Sequence, residues 1–238
     1  MDVLVGIDPY DHIIPIIILC IVFYYTYRWA AGNITVFSVE RMEEIVKQVR
    51  RRHPEDNLDL ERFFEDVRSE FALQYPGHIV PQLEWIWCYA GGCLWAFASF
   101  HTSLTEYLMI TGTSTGTSGS TGRHLATISD MVLAGNVVYS DEHSPFRQFS
   151  FKEGDLYHLA PLEAHSLQIN GECWLLEYGR GCVPLFLPFG LAGHFLSTLD
   201  WVSVLRIFSL YARFMIPYFL KWPFTRINFP RSAKNDHV

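Results

Sequence analysis

Residues 13–32 read IIPIIILCIVFYYTYRWAAG, an apolar run whose single charge, Arg28, lies near its end. A helix of that length, at about 1.5 Å per residue, matches a hydrocarbon core about 30 Å thick and satisfies its backbone polar groups internally. The run therefore predicts a transmembrane helix, preceded by an N-terminal tail at 1–12. A cleavable leader would need a basic start and an Ala-x-Ala exit, whereas this one carries Asp2, Asp8 and Asp11, so the segment is expected to be retained. Tyr24, Tyr25, Tyr27 and Trp29 form the aromatic belt of an interface. Basic residues follow the span at Arg41, Lys47 and Arg50-Arg51-Arg52, which by the positive-inside rule alone puts the body in the cytosol. The sequon Asn33-Ile34-Thr35 sits directly after the run.

Residues 33–80 predict amphipathic helices. Val39, Met42, Ile45, Val46 and Val49 repeat at helical spacing, and Leu60, Phe63, Phe64, Val67 and Phe71 do so after His53-Pro54. The arginine run reads as a solvated helix face. From 81 to 188 the pattern changes to short apolar stretches between glycines and polar turns: LEWIWCYAGG, TEYLMITGT, DMVLAGNVVY, FRQFSF, GDLYHLA, AHSLQI and CWLLEYG. These predict strands of a small antiparallel barrel or sandwich able to enclose a ligand. Within it TGTSTGTSGSTG, residues 111–122, lacks the Lys-Ser/Thr ending of a phosphate-cradling loop and is expected to be a flexible connection. Residues 189–229 are apolar again, with Phe195, Leu199, Val202, Leu205, Phe208 and Tyr211 at helical spacing. Pro217 and scattered basic residues favour helices lying on a bilayer over a second span, and 230–238 reads as a disordered tail.

A chain of 238 residues is one domain, and 50% hydrophobic with 18% charged leans away from an ordinary soluble one. A net charge of -7 argues against nucleic-acid binding, which neutralises phosphates with basic surface. Cys20, Cys88, Cys93, Cys173 and Cys182 are odd in number with no CxxC pair, so free thiols are expected and no metal site.

Two acids stand out in the strand region. Glu177 lies inside Trp174-Leu175-Leu176-Glu177-Tyr178, and Asp130 is followed by Met131-Val132-Leu133-Ala134. Burying a lone carboxylate costs several kcal/mol, so two acids in one apolar pocket would share a proton, one serving as acid and the other as base. Such a pair can protonate an alkene and collect a proton from a neighbouring carbon, or hold a lipophilic cation. Separate structural hydrogen bonding of each acid is the competing reading. Trp85, Trp87, Tyr89, Trp95, Tyr107, Trp174 and Tyr178 offer π faces to a carbocation or ammonium, and Ile128 and His158 join them as substrate-binding candidates. Glu106, in LTEYLMI, and His101 are accessory candidates; each has a structural reading as well.

Ala90-Gly91-Gly92, the stretch His101 to Tyr107, Gly112-Thr113, Ile128-Ser129-Asp130, the stretch Trp174 to Gly181 and Ser197-Thr198-Leu199-Asp200 resemble, in order and spacing, the family of fungal sterol C-8 isomerases and sigma non-opioid receptors. The likeness runs from the N-terminal span to about Arg213. It implies an α+β protein of the endoplasmic-reticulum membrane: one N-terminal span, a cupin-like antiparallel β-barrel around a pocket, and C-terminal helices closing that pocket against the membrane, often as a trimer. It also implies that the position of Glu177 salt-bridges a ligand amine in the receptor branch, with that of Asp130 bonding to it. The isomerase branch shifts a sterol double bond through a carbocation without any cofactor. Departures fall at Tyr89, Gly119-Ser120-Thr121-Gly122, Thr127, Gly193-His194 and Pro161-Leu162-Glu163-Ala164. The expectation is a diverged member acting on a C=C bond of a sterol or other isoprenoid lipid; a proton-initiated isoprenoid cyclase and a non-enzymatic binder of lipophilic amines or sterols are the alternatives.

Overall fold

A computed structural model describes residues 10–33, 35–53 and 58–221, with side chains omitted for 10–12, 27–33 and 217–221. Residues 1–9, Ile34 of the sequon, the side chains of Tyr27, Arg28, Trp29 and Asn33, Pro54, the Pro217 side chain and the tail 230–238 lie outside what is described. The apolar run forms helix α1, Tyr10–Asn33. Among the described residues no helix is long and apolar enough to cross a membrane. The described side chains of α1 are nonetheless largely exposed, Leu19 at 68% and Phe23 at 59%.

Two capped helices follow. α2 (Val39–Arg50) starts at Ser38, whose hydroxyl accepts from Arg41 N, and α3 (Leu60–Gln74) at Asp59, whose carboxylate accepts from Arg62 N. These side chains satisfy backbone donors that lack an intrahelical partner. Met42, Ile45, Val46 and Val49 on one helix and Phe63, Phe64, Val67 and Phe71 on the other are buried together. At about 1.5–3 kcal/mol for each large apolar side chain, this seam anchors both helices to the sheet beneath.

The strands are β1 (Ile86–Ala90), β2 (Cys93–Thr102), β3 (Glu106–Thr113), β4 (Thr117–Ser120), β5 (Ala126–Ala134), β6 (Asn136–Asp141), β7 (Phe149–Lys152), β8 (Leu156–Leu159), β9 (His165–Ile169) and β10 (Cys173–Gly181). They form two antiparallel sheets, β1-β2-β3-β10-β5-β8 and β4-β9-β6-β7. Neither order returns to its own start, so no barrel closure is found among the described residues, and the expected barrel or sandwich takes the form of two sheets packed on a shared core. Leu108, Ile110, Met131, Leu133, Leu176 and Tyr178 of the larger sheet face α2 and α3. Val132, Leu159 and Leu175 of the larger sheet join Val137, Tyr139, Leu167 and Ile169 of the smaller one in a second core.

The stretch expected to be a flexible connection contains β4, which pairs with β9 from Thr117↔Ile169 to Ser120↔Ser166. Gly119 permits this: a Cβ there would stand 2.2 Å from the Gly91 carbonyl oxygen and 2.7 Å from Cys93 Sγ. The strand can thus lie against the β1–β2 turn where any larger residue would collide.

After a short 3-10 turn at Val183–Phe186, α4 (Leu187–Gly193), a π turn (His194–Thr198) and α5 (Trp201–Lys221) cover the β1 end of the larger sheet. Val204, Ile207 and Leu210 pack with Ile86 and Leu191. Leu199, Val202, Leu205 and Phe208, read from the sequence as one apolar stripe, face outward, at 63%, 69%, 68% and 47% exposure. Both faces of α5 are therefore apolar.

A closed carboxyl pair in an apolar cavity

Between the sheets and α4–α5 lies a cavity of about 190 Å³. Strand alternation decides which side chains reach it. On β10, Leu175 and Glu177 point inward, so Trp174, Leu176 and Tyr178 point to the helices. On β5 the same rule brings Ile128 and Asp130 inward. Asp130 and Glu177 are direct partners in the β5–β10 register, an arrangement that holds Cβ atoms about 4.5–5.5 Å apart.

The two acids are not equivalent. The Tyr107 hydroxyl donates to Glu177 Oε1 at 2.5 Å. Asp130 Oδ1 is buried with no hydrogen-bond partner. Burial pushes both carboxyls upward; the neighbouring Glu177 charge raises Asp130 further, while the Tyr107 bond pulls Glu177 back. Tyr107 itself is held well above its usual range by burial and by the Glu177 charge. Trp95, Phe97, Tyr139, Phe186 and Phe189 supply aromatic wall, and His124 stacks on Phe186 with ring centroids 4.3 Å apart. The hydroxyls of Tyr139 and Tyr157 are in contact, and Tyr157 is the register partner of Asp130 on its other side.

Of the sequence candidates, Asp130, Glu177, Trp95, Tyr107 and Ile128 line this cavity. The others do not. Trp85 and Trp174 pack on each other and on Phe64 beneath α3. Trp87 is half exposed, and the Tyr89 backbone N–H donates to His194 Nε2, in the turn between α4 and α5, at 3.1 Å. His158 bonds Ser129 Oγ at 2.8 Å on the outer face, since Ser129 adjoins the inward Asp130. Tyr178 donates to Glu106 Oε2 at 2.8 Å, and Glu106 also accepts from Val36 N at 2.6 Å and Phe37 N at 3.4 Å, tying the chain after α1 to the sheet. His101 Nδ1 donates to the His78 carbonyl at 2.8 Å, again outside the cavity. Thr127 adjoins inward Ile128 and does not line the cavity, so an acid in its place would not reach the pair from this strand.

Sequence reasoning missed Cys88, Phe97, Ser99, Thr102, Met109, Thr111, His124 and Tyr139 as cavity residues. Once Glu177 is placed inward, the register partner Met109 and its alternates Tyr107 and Thr111 follow; the residues of α4 and the β4 loop carry no comparable signal. Among the described residues no three His, Cys, Asp or Glu side chains gather as a metal site.

The model of the ERG2 and Sigma1 receptor like protein family matches residues 13–222. A sigma non-opioid intracellular receptor 1 from Taricha granulosa is 32% identical over 201 residues, covering 84% of this chain and 87% of the relative. The one from Danio rerio is 34% identical, covering 79% and 83%. The C-8 sterol isomerase erg2 of Aspergillus fumigatus is 33% identical, covering 79% and 78%. Among solved structures, an RmlC-like cupin from Shewanella frigidimarina aligns with a TM-score of 0.38 at 14% identity, covering 44% of this chain and 89% of that one.

Proposed function

The chain belongs to the ERG2 and Sigma1 receptor like protein family, and from that premise we propose that it is a membrane-associated, cofactor-independent isomerase shifting a C=C bond of a sterol or other isoprenoid lipid. The observation that carries this reading is the register pairing of Asp130 with Glu177 inside a largely apolar cavity. Two carboxylates so close cannot both ionise cheaply, so the pair holds one proton. Tyr107 stabilises charge on Glu177, and Asp130 has no donor, so the proton rests on Asp130.

In the proposed reaction Asp130 gives its proton to one alkene carbon. The cation that forms on the other alkene carbon is held by the faces of Trp95 and Tyr107, and Glu177 removes a proton from the carbon beyond it, so that the double bond re-forms one position along. One proton enters and one leaves the substrate, and exchange of the carboxyl pair with solvent between turnovers, leaving the proton on Asp130, restores the starting state. The outward apolar stripe of α5 and the exposed isoleucines of α1 support contact with a bilayer, with α1 as the anchor; the endoplasmic reticulum as the compartment rests on the family resemblance alone.

A binder of lipophilic amines is the second reading, favoured by the same Glu177 carboxylate, which would meet an ammonium in the apolar cavity without any chemistry. Expression in a host lacking sterol C-8 isomerase, followed by mass spectrometry of its lipids, separates the two. A new double-bond isomer, lost in Asp130→Asn and in Glu177→Gln, supports the enzyme. Unchanged sterols and unchanged added isoprenoids, with tight amine binding lost in Glu177→Gln, overturn it in favour of the binder.

A further inference from the structure

Ser99 and Thr102 are three residues apart on β2, a spacing that puts side chains on opposite faces of a regular strand. Both nevertheless line the cavity. The β2–β3 register slips between Ser99 and His101, and this bulge reverses the alternation, leaving Phe100 and His101 on the side of Phe71 and Phe37. The two hydroxyls, 5% and 6% exposed as residues, come within 3.0 Å of each other.

Proton accounting fixes what this pair can offer. A hydroxyl carries one proton and two acceptor lone pairs. Ser99 Oγ donates to the His101 carbonyl at 3.3 Å, a partner that can only accept. The proton between the two hydroxyls must then come from Thr102. Thr102 Oγ1 is left with lone pairs and no proton, a buried acceptor that lacks a donor.

Its place on the sheet relates it to the acids. Ser99 pairs with Met109, Met109 with Glu177, and Glu177 with Asp130, so the four lie in one row across the sheet. With neighbouring strands about 4.8 Å apart, the hydroxyl pair stands roughly 10 Å from Glu177. A neutral acceptor at that distance suits a ligand hydroxyl; an ammonium would be drawn to the carboxylate instead.

We infer that Ser99 and Thr102 form a polar subsite in which Thr102 Oγ1 accepts a hydrogen bond from the hydroxyl of a lipid alcohol lying across the sheet toward Asp130 and Glu177. That the far end of this alcohol carries the reacting double bond rests on the proposed isomerase function; the subsite does not.

The test uses the full chain in detergent with farnesol and farnesyl methyl ether as matched probes, the ether being unable to donate. The wild type is expected to bind the alcohol about tenfold more tightly. Thr102→Val should bring that ratio close to one by weakening the alcohol alone, and Thr102→Ser should preserve it. Ser99→Ala frees the Thr102 proton to donate, so ether affinity should rise and the ratio fall; this variant serves if Thr102→Val does not fold. A ratio near one in the wild type overturns the subsite, as does a tenfold preference that survives both Thr102→Val and Ser99→Ala. A preference retained in Glu177→Gln supports the subsite whatever becomes of the acid–base chemistry.

Discussion

The Tyr107 hydroxyl reaches across from β3 to donate to Glu177 Oε1 at 2.5 Å, while the opposing Asp130 Oδ1 has no donor at all. That asymmetry assigns the two acids their roles. Removing the hydroxyl in Tyr107→Phe takes away the bond that lowers the Glu177 pKa. Turnover should fall by about 10²-fold, and the acidic limb of the pH–rate profile should move to higher pH. A profile that keeps its position would show that Tyr107 does not govern the base.

Asp130 should be a residue that trades stability for chemistry. Its folded pKa is raised by burial and by Glu177, so the unfolded chain releases its proton at lower pH and folding loses stability as pH rises toward neutrality. Asp130→Asn removes that penalty. It should abolish turnover yet raise stability at pH 7 by on the order of 1–2 kcal/mol, read as an increased denaturation midpoint. A clear loss of stability would contradict the placement of a proton-sharing pair here.

Acid should destabilise the fold through its buried histidines. His101 donates from Nδ1 to the His78 carbonyl, its Nε2 is buried without a partner, and burial pulls its pKa down to about 4. The depressed folded value means that this contribution is complete above the ordinary value near 6.5 and is lost as pH falls toward 4, on the order of 3 kcal/mol. His124 and His194 are lowered by burial too and act with the same sign. Urea unfolding at pH 7 and pH 4.5 should show the loss, and His101→Gln should flatten it. Equal slopes in the two proteins would remove His101 from the account.

The helix seam should hold the sheet. Phe63 and Phe71 are fully buried against α2 and the strands, and truncation of either to Ala should cost about 3–5 kcal/mol by equilibrium denaturation. Gly119→Ala should also destabilise, because the new methyl would collide with the Gly91 carbonyl rather than with a movable side chain. Little change in either would mean that the sheet tolerates loss of these contacts.

The helical faces of α2 and α3 and the two acids were legible because each rests on a local pattern: period 3.6 in Val39–Val49 and Leu60–Phe71, and a lone carboxylate in an apolar strand. The aromatic wall was less so. Trp174 and Tyr178 cannot share a face with Glu177, since strand alternation separates residues of odd spacing, and their true partners are Phe64 and Glu106. The bulge at Ser99–His101 reverses this alternation and leaves no compositional trace, which hid Thr102. β4 was hidden for another reason: its residues Thr117–Ser120 carry no apolar face, and the strand is made by the space that Gly119 leaves beside Cys93. The residues of α4 that close the cavity, Phe189 among them, reach it through tertiary packing alone.

The most direct measurement is solvent deuterium incorporation, with the full chain in detergent converting a sterol or isoprenoid alkene in D2O and the product weighed by mass spectrometry. Protonation by Asp130 and removal of a different proton by Glu177 predict one deuterium per product molecule, with conversion abolished in Asp130→Asn and Glu177→Gln. A product that forms without deuterium, or no conversion by the wild type, would contradict the account.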